Sequence, residues 1–106
     1  MATLSPDDVR QRLAALPGWR LDANAIVRQF TFAGFPEAVA FVSRLVPGAE
    51  SADHHPDITI NYRRVTLSYT THSEGGLTDK DFAGASAAEQ CAVAVEDAGQ
   101  ESTRLN

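Results

Sequence analysis

The most constraining feature of this 106-residue sequence is the order in which its hydrophobic spacings change. Spacings of three to four residues, typical of an amphipathic helix, alternate with pairs of two-residue spacings, typical of half-buried strands. The order is helix, strand, strand, helix, strand, strand, helix. Because short links join the strands of each pair, the pairs can be antiparallel but cannot be parallel crossovers. We therefore predict one α+β domain, with a four-stranded antiparallel sheet and three helices packed on one face.

Proline and glycine residues mark where the elements end. Pro47 and Gly48 are expected to end the second helix, because proline breaks a helix interior. The last helix is expected to stop before Gly99. We therefore predict a domain comprising residues 1–98 and a loose C-terminal tail over residues 99–106.

Composition excludes several classes of protein. A net charge of -5, from 14 acidic and 9 basic residues, argues against direct binding to nucleic acid, which needs clustered positive charge. The single cysteine, Cys91, cannot form an internal disulfide and suits a reducing compartment. The amino terminus does not resemble a secretory signal, and no apolar run approaches the roughly 20 residues of a membrane span. We predict a cytoplasmic protein without a membrane partner.

The chemistry-bearing residues concentrate in one stretch, which holds all three histidines. His54 and His55 precede one predicted strand, and His72 follows the next. In an antiparallel pair these positions lie at the same end of the sheet, so we expect the histidines to be close together. Pro56 biases His55 toward an extended backbone, which directs the two adjacent imidazoles differently.

Three interpretations of this cluster are open from the residues alone. The histidines can be ordinary surface-loop residues, and Asp81 can be only the acid of a capping box that begins at Thr78. Three histidines can also hold zinc, although neither a helical His-x-x-x-His pair nor a Cys-x-x-Cys pair is present. Finally, imidazole suits proton transfer at neutral pH, because its unperturbed pKa is about 6.5.

A larger set of residues has the spacing of a known signature. In chain order the set is Glu50, His54, His55, Pro56, Tyr62, His72 and Asp81. Together with the segments AESADHHPDITINY, RVTLSYTTH and GLTDKDFAGA, it resembles the pterin-4a-carbinolamine dehydratase family over nearly the whole chain short of its tail. The chain has Ile58 where animal members have tryptophan, and in this it resembles the bacterial members.

The resemblance implies dehydration of 4a-hydroxytetrahydropterin to quinonoid dihydropterin, which recycles the cofactor of aromatic amino-acid hydroxylation. It implies an acid/base reaction with no cofactor, no metal and no redox partner. By the same resemblance, His54 and His72 donate protons on opposite faces of the pterin ring, and His55 mainly binds substrate. The supporting residues implied are Glu50, Pro56 and Asp81.

Self-association is a further expectation. Val39 and Val46 lie outside the apolar stripe of helix two, and a four-stranded sheet has exposed edges, so we predict a homodimer or a homotetramer. The family resemblance also leaves a second function open. Some members act as a dimerisation cofactor of a transcription factor or in assembly, so a non-enzymatic interaction protein on the same fold is the alternative.

Overall fold

The computed structural model describes the backbone of residues 3–105 and the side chains of residues 3–97. The elements are α1 (Pro6–Ala14), β1 (Arg20–Asp22), β2 (Ala25–Thr31), α2 (Phe35–Ala52), β3 (Asp57–Asn61), β4 (Arg64–Tyr69) and α3 (Asp79–Leu105). A short 3-10 turn, His72–Glu74, lies between β4 and α3. The predicted α+β order and the antiparallel sheet are confirmed.

The sheet has the strand order β1-β2-β4-β3, and all its pairs are antiparallel. In its central pair, Ile26 lies opposite Tyr69 and Phe30 lies opposite Val65, so alternate residues of β2 and β4 share one face. That face packs against the helices. The buried core includes Val9, Trp19, Ile26, Phe30, Phe41, Leu45, Val65, Leu67, Tyr69, Phe82, Ala85 and Val95.

The second helix is longer than the sequence predicts. We expected it to end at Pro47 and Gly48, and that expectation is wrong, because α2 continues through both residues to Ala52. Proline has no N–H, so the backbone carbonyl one turn before Pro47 lacks its helical hydrogen bond. Because Pro47 is exposed, water can reach this carbonyl and bind it instead. The extra turn is closed by a 3.1 Å hydrogen bond from His54 N to Ala49 O.

A polar contact ties the third helix to the sheet. Glu89 on α3 accepts a 2.8 Å hydrogen bond from Trp19 Nε1 and a 2.5 Å bond from Arg28 Nη1. Arg28 lies on the core-facing side of β2, so its guanidinium points toward α3. The ion pair with Glu89 compensates this partly buried charge. Trp19 and Phe30 are both buried.

The backbone of α3 runs to Leu105, which is further than the sequence predicts. The side chains of residues 99–106, where we expected a loose tail, lie outside the described part of the chain, so the loose tail stays a prediction. Across residues 3–105, neither α3 nor another helix is long and apolar enough to cross a bilayer.

The strand β3 is an edge of the sheet and is poorly covered. Ile58 and Ile60 face the same side as the core residues of β4, yet they remain 40% and 39% exposed. On α2, Val39 and Val46 are 40% and 53% exposed. The fold therefore leaves apolar side chains open on a helix and on an edge strand, which is a common property of interaction surfaces.

Candidate functional site

The two adjacent histidines follow directly from the end of α2. Asp53 ends the helix in a left-handed conformation, with φ 50°, and its N–H bonds the carbonyl of Glu50 at 3.2 Å. This reversal turns the chain toward β3, which begins at Asp57. His54 and His55 therefore lie in a four-residue link, residues 53–56, whose two ends are held by regular structure.

His54 is nearly buried and is paired with a buried acid. Its Nε2 lies 2.6 Å from Oδ1 of Asp81, and the two side chains are 11% and 0% exposed. Asp81 Oδ2 accepts hydrogen bonds from Thr71 Oγ1 at 2.8 Å and from Thr78 N at 3.0 Å. A carboxylate with these partners is an acceptor, so His54 Nε2 carries the proton of the pair and Nδ1 is available for other chemistry.

The contacts of Asp81 combine the predicted helix cap with a contact to an imidazole. Its bond to Thr78 N, with a 3.3 Å bond from Lys80 N to Thr78 Oγ1, forms the capping box at the start of α3. Its other oxygen binds His54. One buried side chain thus caps the helix and fixes the imidazole.

His55 has a different environment and a different acid. Its Nε2 lies 2.5 Å from Oε2 of Glu50, and the two side chains are 53% and 69% exposed. Such an exposed pair contributes little to stability. His55 and Pro56 line a cavity of about 180 Å³ between α2 and β3, whereas His54 lines a separate cavity between α2 and α3.

His72 begins the 3-10 turn after β4, and its side chain is exposed. The preceding residue, Thr71, is buried, and its side-chain hydroxyl donates to Asp81, so one carboxylate contacts both the side chain before His72 and the ring of His54. Within residues 3–97, the ring of His72 has no hydrogen-bond partner. It is thus an exposed imidazole on the residue that follows Thr71, and Thr71 contacts Asp81.

One residue of the signature lies elsewhere. Tyr62 stands at the β3–β4 turn, with φ 56° and 65% exposure. The histidine link precedes the opposite end of β3, so the tertiary structure does not bring Tyr62 to the imidazoles.

Two contributors to the site have no sequence signal as strong as the histidines. The ring of Tyr69 stacks on His54, with centroids 6.1 Å apart and planes at 22°. Burial, followed by the charges of Cys91 and Asp81, raises the pKa of Tyr69 to about 12. The strand alternation places Tyr69 on the inner face, but only the folded chain shows that it contacts His54. Thr71 lies beyond β4, where no periodicity indicates its burial.

The arrangement is suited to proton transfer. It contains one imidazole held by a buried carboxylate, a second held by an exposed carboxylate, and a third that is exposed. In the portion of the chain whose side chains are described, no group of three or more His, Cys, Asp or Glu residues is placed to hold a metal ion.

Comparison with known proteins identifies relatives of this chain. The family model "Pterin 4 alpha carbinolamine dehydratase" matches residues 2–91. A protein of Chloroflexus aurantiacus, provisionally named pterin-4-alpha-carbinolamine dehydratase, is 51% identical over 90 residues, which are 85% of this chain and 97% of the relative. A similarly named protein of Mycobacteroides abscessus is 48% identical over 83 residues, covering 78% of this chain and 88% of the relative.

Two solved structures resemble the fold. A transcriptional coactivator/pterin dehydratase from Brucella melitensis has a TM-score of 0.82 and 36% identity, covering 85% of this chain and 98% of its own. A pterin dehydratase-like RuBisCO assembly factor of the alpha-carboxysome has a TM-score of 0.57 and 19% identity, covering 70% and 86%. The second likeness concerns the fold alone.

Proposed function

We propose that this chain, which belongs to the pterin-4a-carbinolamine dehydratase family, dehydrates 4a-hydroxytetrahydropterin to quinonoid dihydropterin. In this hydro-lyase reaction the C4a hydroxyl is protonated and leaves as water, and loss of the N5 proton completes the C=N bond. Hydroxide is a poor leaving group, so the reaction needs a proton donor and a proton acceptor. It needs no net oxidant or reductant.

The observation that carries the proposal is the His54–Asp81 pair. Asp81 is fully buried and holds Nε2 at 2.6 Å, which fixes the tautomer and the orientation of the ring. We infer that His54 passes its proton to the hydroxyl from Nδ1, since Nε2 is committed to the carboxylate. A buried negative charge next to the ring balances the imidazolium that carries this proton.

The other residues take roles that follow from their exposure. His72 is exposed beside the Asp81–Thr71 contact, and we assign it as the second proton donor, which serves hydroxyls on the opposite face of the pterin. We assign His55 mainly to substrate binding, with Glu50 orienting its ring across the 2.5 Å contact. Pro56 shapes the pocket edge beside His55.

The cellular setting is part of the proposal. We infer a cytoplasmic enzyme that recycles tetrahydrobiopterin for an aromatic amino-acid hydroxylase, and that acts as a homodimer or homotetramer. The exposed Ile58 and Ile60 of β3 and Val39 and Val46 of α2 support self-association. The same exposed residues favour the second candidate, a non-enzymatic assembly or coactivator-like role, because they also suit a different protein partner.

A kinetic experiment with the two C4a epimers tests the catalytic assignment. His54→Ala and His72→Ala are each expected to slow a different epimer by about 10² to 10⁴, the usual contribution of a general acid. His55→Ala is expected to raise KM and change kcat little, because a group that binds ground and transition states equally does not alter the barrier. Equal slowing of both epimers by both donor variants would contradict the two-face assignment.

The unmodified protein provides the test between enzyme and interaction protein. We expect dehydration by the purified chain without added metal, and full activity after treatment with a chelator. Activity that disappears on chelation and returns with zinc would replace the acid/base mechanism with a metal mechanism. Complete inactivity of the folded protein toward both epimers would favour the non-enzymatic role.

A further inference from the structure

A chain of buried hydroxyls continues behind the His54–Asp81 pair. Thr71 Oγ1 lies 2.8 Å from Asp81 Oδ2 and also 2.8 Å from Thr78 Oγ1, and the two threonines are 5% and 0% exposed. A carboxylate only accepts hydrogen bonds, so Thr71 gives its one hydroxyl proton to Asp81. Thr78 then donates to Thr71, while its own oxygen accepts from Lys80 N at 3.3 Å. The hydrogen bonds therefore all point in one direction, through Thr71 to the carboxylate.

Thr71 approaches Asp81 from a different element than the helix cap does. Thr78 N bonds the same oxygen, Oδ2, at 3.0 Å as part of the capping box of α3, whereas Thr71 lies two residues beyond β4. A single hydrogen bond to an oxygen leaves the carboxylate able to swing about that bond. Two bonds from separate elements fix Oδ2, and with it the direction of Oδ1, which accepts from His54 Nε2 at 2.6 Å. The Thr71 hydroxyl thus controls how the carboxylate faces the imidazole.

The Thr71 hydroxyl can be removed without releasing the backbone. Thr71 N donates to Gly76 O at 3.2 Å, and Thr71 O accepts from Glu74 N at 3.1 Å and from Gly76 N at 3.4 Å. These bonds do not use the side chain, so the next residue, His72, keeps its place when the hydroxyl is lost. Thr71 is buried, and its hydroxyl is engaged by other buried side chains, so it does not reach substrate. Its effect on catalysis is therefore exerted through Asp81.

We propose that Thr71 is a positioning residue for proton transfer by His54. Its hydroxyl holds the Asp81 carboxylate so that Oδ1 keeps the Nε2 proton of the imidazole, and the ring then presents Nδ1 to the reacting hydroxyl. Thr78 orients Thr71 by donating to it. This role rests on the dehydratase function proposed above, and it adds a residue that acts on the reaction without touching substrate.

Rates with the two C4a epimers test this role. Thr71→Val keeps the shape of the side chain and removes the hydroxyl, so kcat for the epimer that depends on His54 is expected to fall about tenfold, with KM within about twofold. The other epimer, assigned to His72, is expected to stay within about twofold. Thr71→Ser keeps the hydroxyl and is expected to retain the parent rate within about threefold. The matched control is Thr70→Val, which removes a neighbouring hydroxyl that bonds Asn24 O at 2.7 Å and is expected to slow neither epimer.

Proton exchange of the imidazole, followed by NMR, tests the hydrogen bond without turnover. In Thr71→Val the Nε2 proton of His54 is expected to exchange with water about tenfold faster than in the parent protein, because the carboxylate swings away more often. The amide proton of Thr78 reports the cap, and its exchange is expected to stay within about twofold. Thr71→Ala also lacks the hydroxyl and places no methyl group against Asp81. It is expected to give the same changes, so the test does not depend on the valine variant folding.

Several results would overturn the role of Thr71. They are a folded Thr71→Val or Thr71→Ala protein whose kcat on the His54 epimer stays within about threefold, equal slowing of both epimers, and a loss in Thr71→Ser as large as in Thr71→Val. Unchanged exchange of the Nε2 proton would overturn it as well. If the parent protein dehydrates neither epimer, the dehydratase proposal fails, and the exchange measurement by itself decides whether Thr71 holds the His54–Asp81 pair.

Discussion

Replacing Asp81 by asparagine separates its catalytic role from its role as a helix cap. An asparagine can keep its carbonyl oxygen at the Oδ2 position, where it still accepts from Thr71 Oγ1 and Thr78 N. Its NH₂ group then faces His54 Nε2, where a donor now meets a donor, so the imidazole must change tautomer or lose the contact. The cap therefore survives and the support of His54 does not.

The expected magnitudes follow from this count of contacts. Of three hydrogen bonds to a fully buried carboxylate, Asp81→Asn removes one, so we expect a loss of about 1 to 3 kcal/mol in the free energy of unfolding. Asp81→Ala removes all three and should cost at least about 3 kcal/mol. For Asp81→Asn we expect kcat to fall by about 10² or more, within the range of a lost general acid.

The assay combines urea unfolding with initial rates on the epimer that depends on His54. Asp79→Asn is the matched control, because it removes a carboxylate from the same first turn of α3. Asp79 is 63% exposed and pairs with Arg12, so it does not contact His54. We expect the control to stay within twofold of the parent protein in rate. If folded Asp81→Asn protein keeps its rate within threefold, Asp81 is only a cap and the reasoning is refuted.

Three further predictions concern packing, pH and assembly. Gly84→Ala should lower the free energy of unfolding by about 1 to 3 kcal/mol, because the added Cβ would lie 2.5 Å from the Tyr69 ring. Gly48→Ala adds a Cβ that meets nothing within 4 Å, so it should raise the free energy of unfolding by about 0.5 to 1 kcal/mol. Urea unfolding that gave both variants the same sign would contradict the contact between Gly84 and Tyr69. Folding raises the pKa of Tyr69 from 10.0 to about 12, so between these pH values the folded state keeps the phenol proton and the unfolded state loses it. The free energy of unfolding should therefore be unaffected by Tyr69 below pH 10 and should fall by roughly 2 to 3 kcal/mol as the pH approaches 12. Tyr69→Phe should remove that part of the alkaline loss. Light scattering should show at least a dimer, and Val46→Glu should favour smaller species; a monomer at micromolar concentration would disprove self-association.

The sequence alone determined the order of the elements, because local spacing reports which face of each helix or strand is apolar. It also indicated the capping residues and the one stretch of chain that carries all three histidines. The end of α2 was wrong in the sequence prediction. A proline rule describes an average helix, and at Pro47 the exposed position makes the missing N–H tolerable.

Only the tertiary structure decided which acid serves which imidazole. Asp81 is 27 residues from His54 along the chain, and the two meet because β3, β4 and the turn after them return the chain to the end of α2. Glu50 is only five residues from His55, yet whether it would face His54 or His55 depends on the left-handed turn at Asp53. Burial separates the two pairs further, since the cover over Asp81 comes from Thr71 and Thr78, which no local pattern connects to the histidines. Periodicity describes a residue's own element, whereas pairing and burial depend on contacts between elements that are distant in sequence.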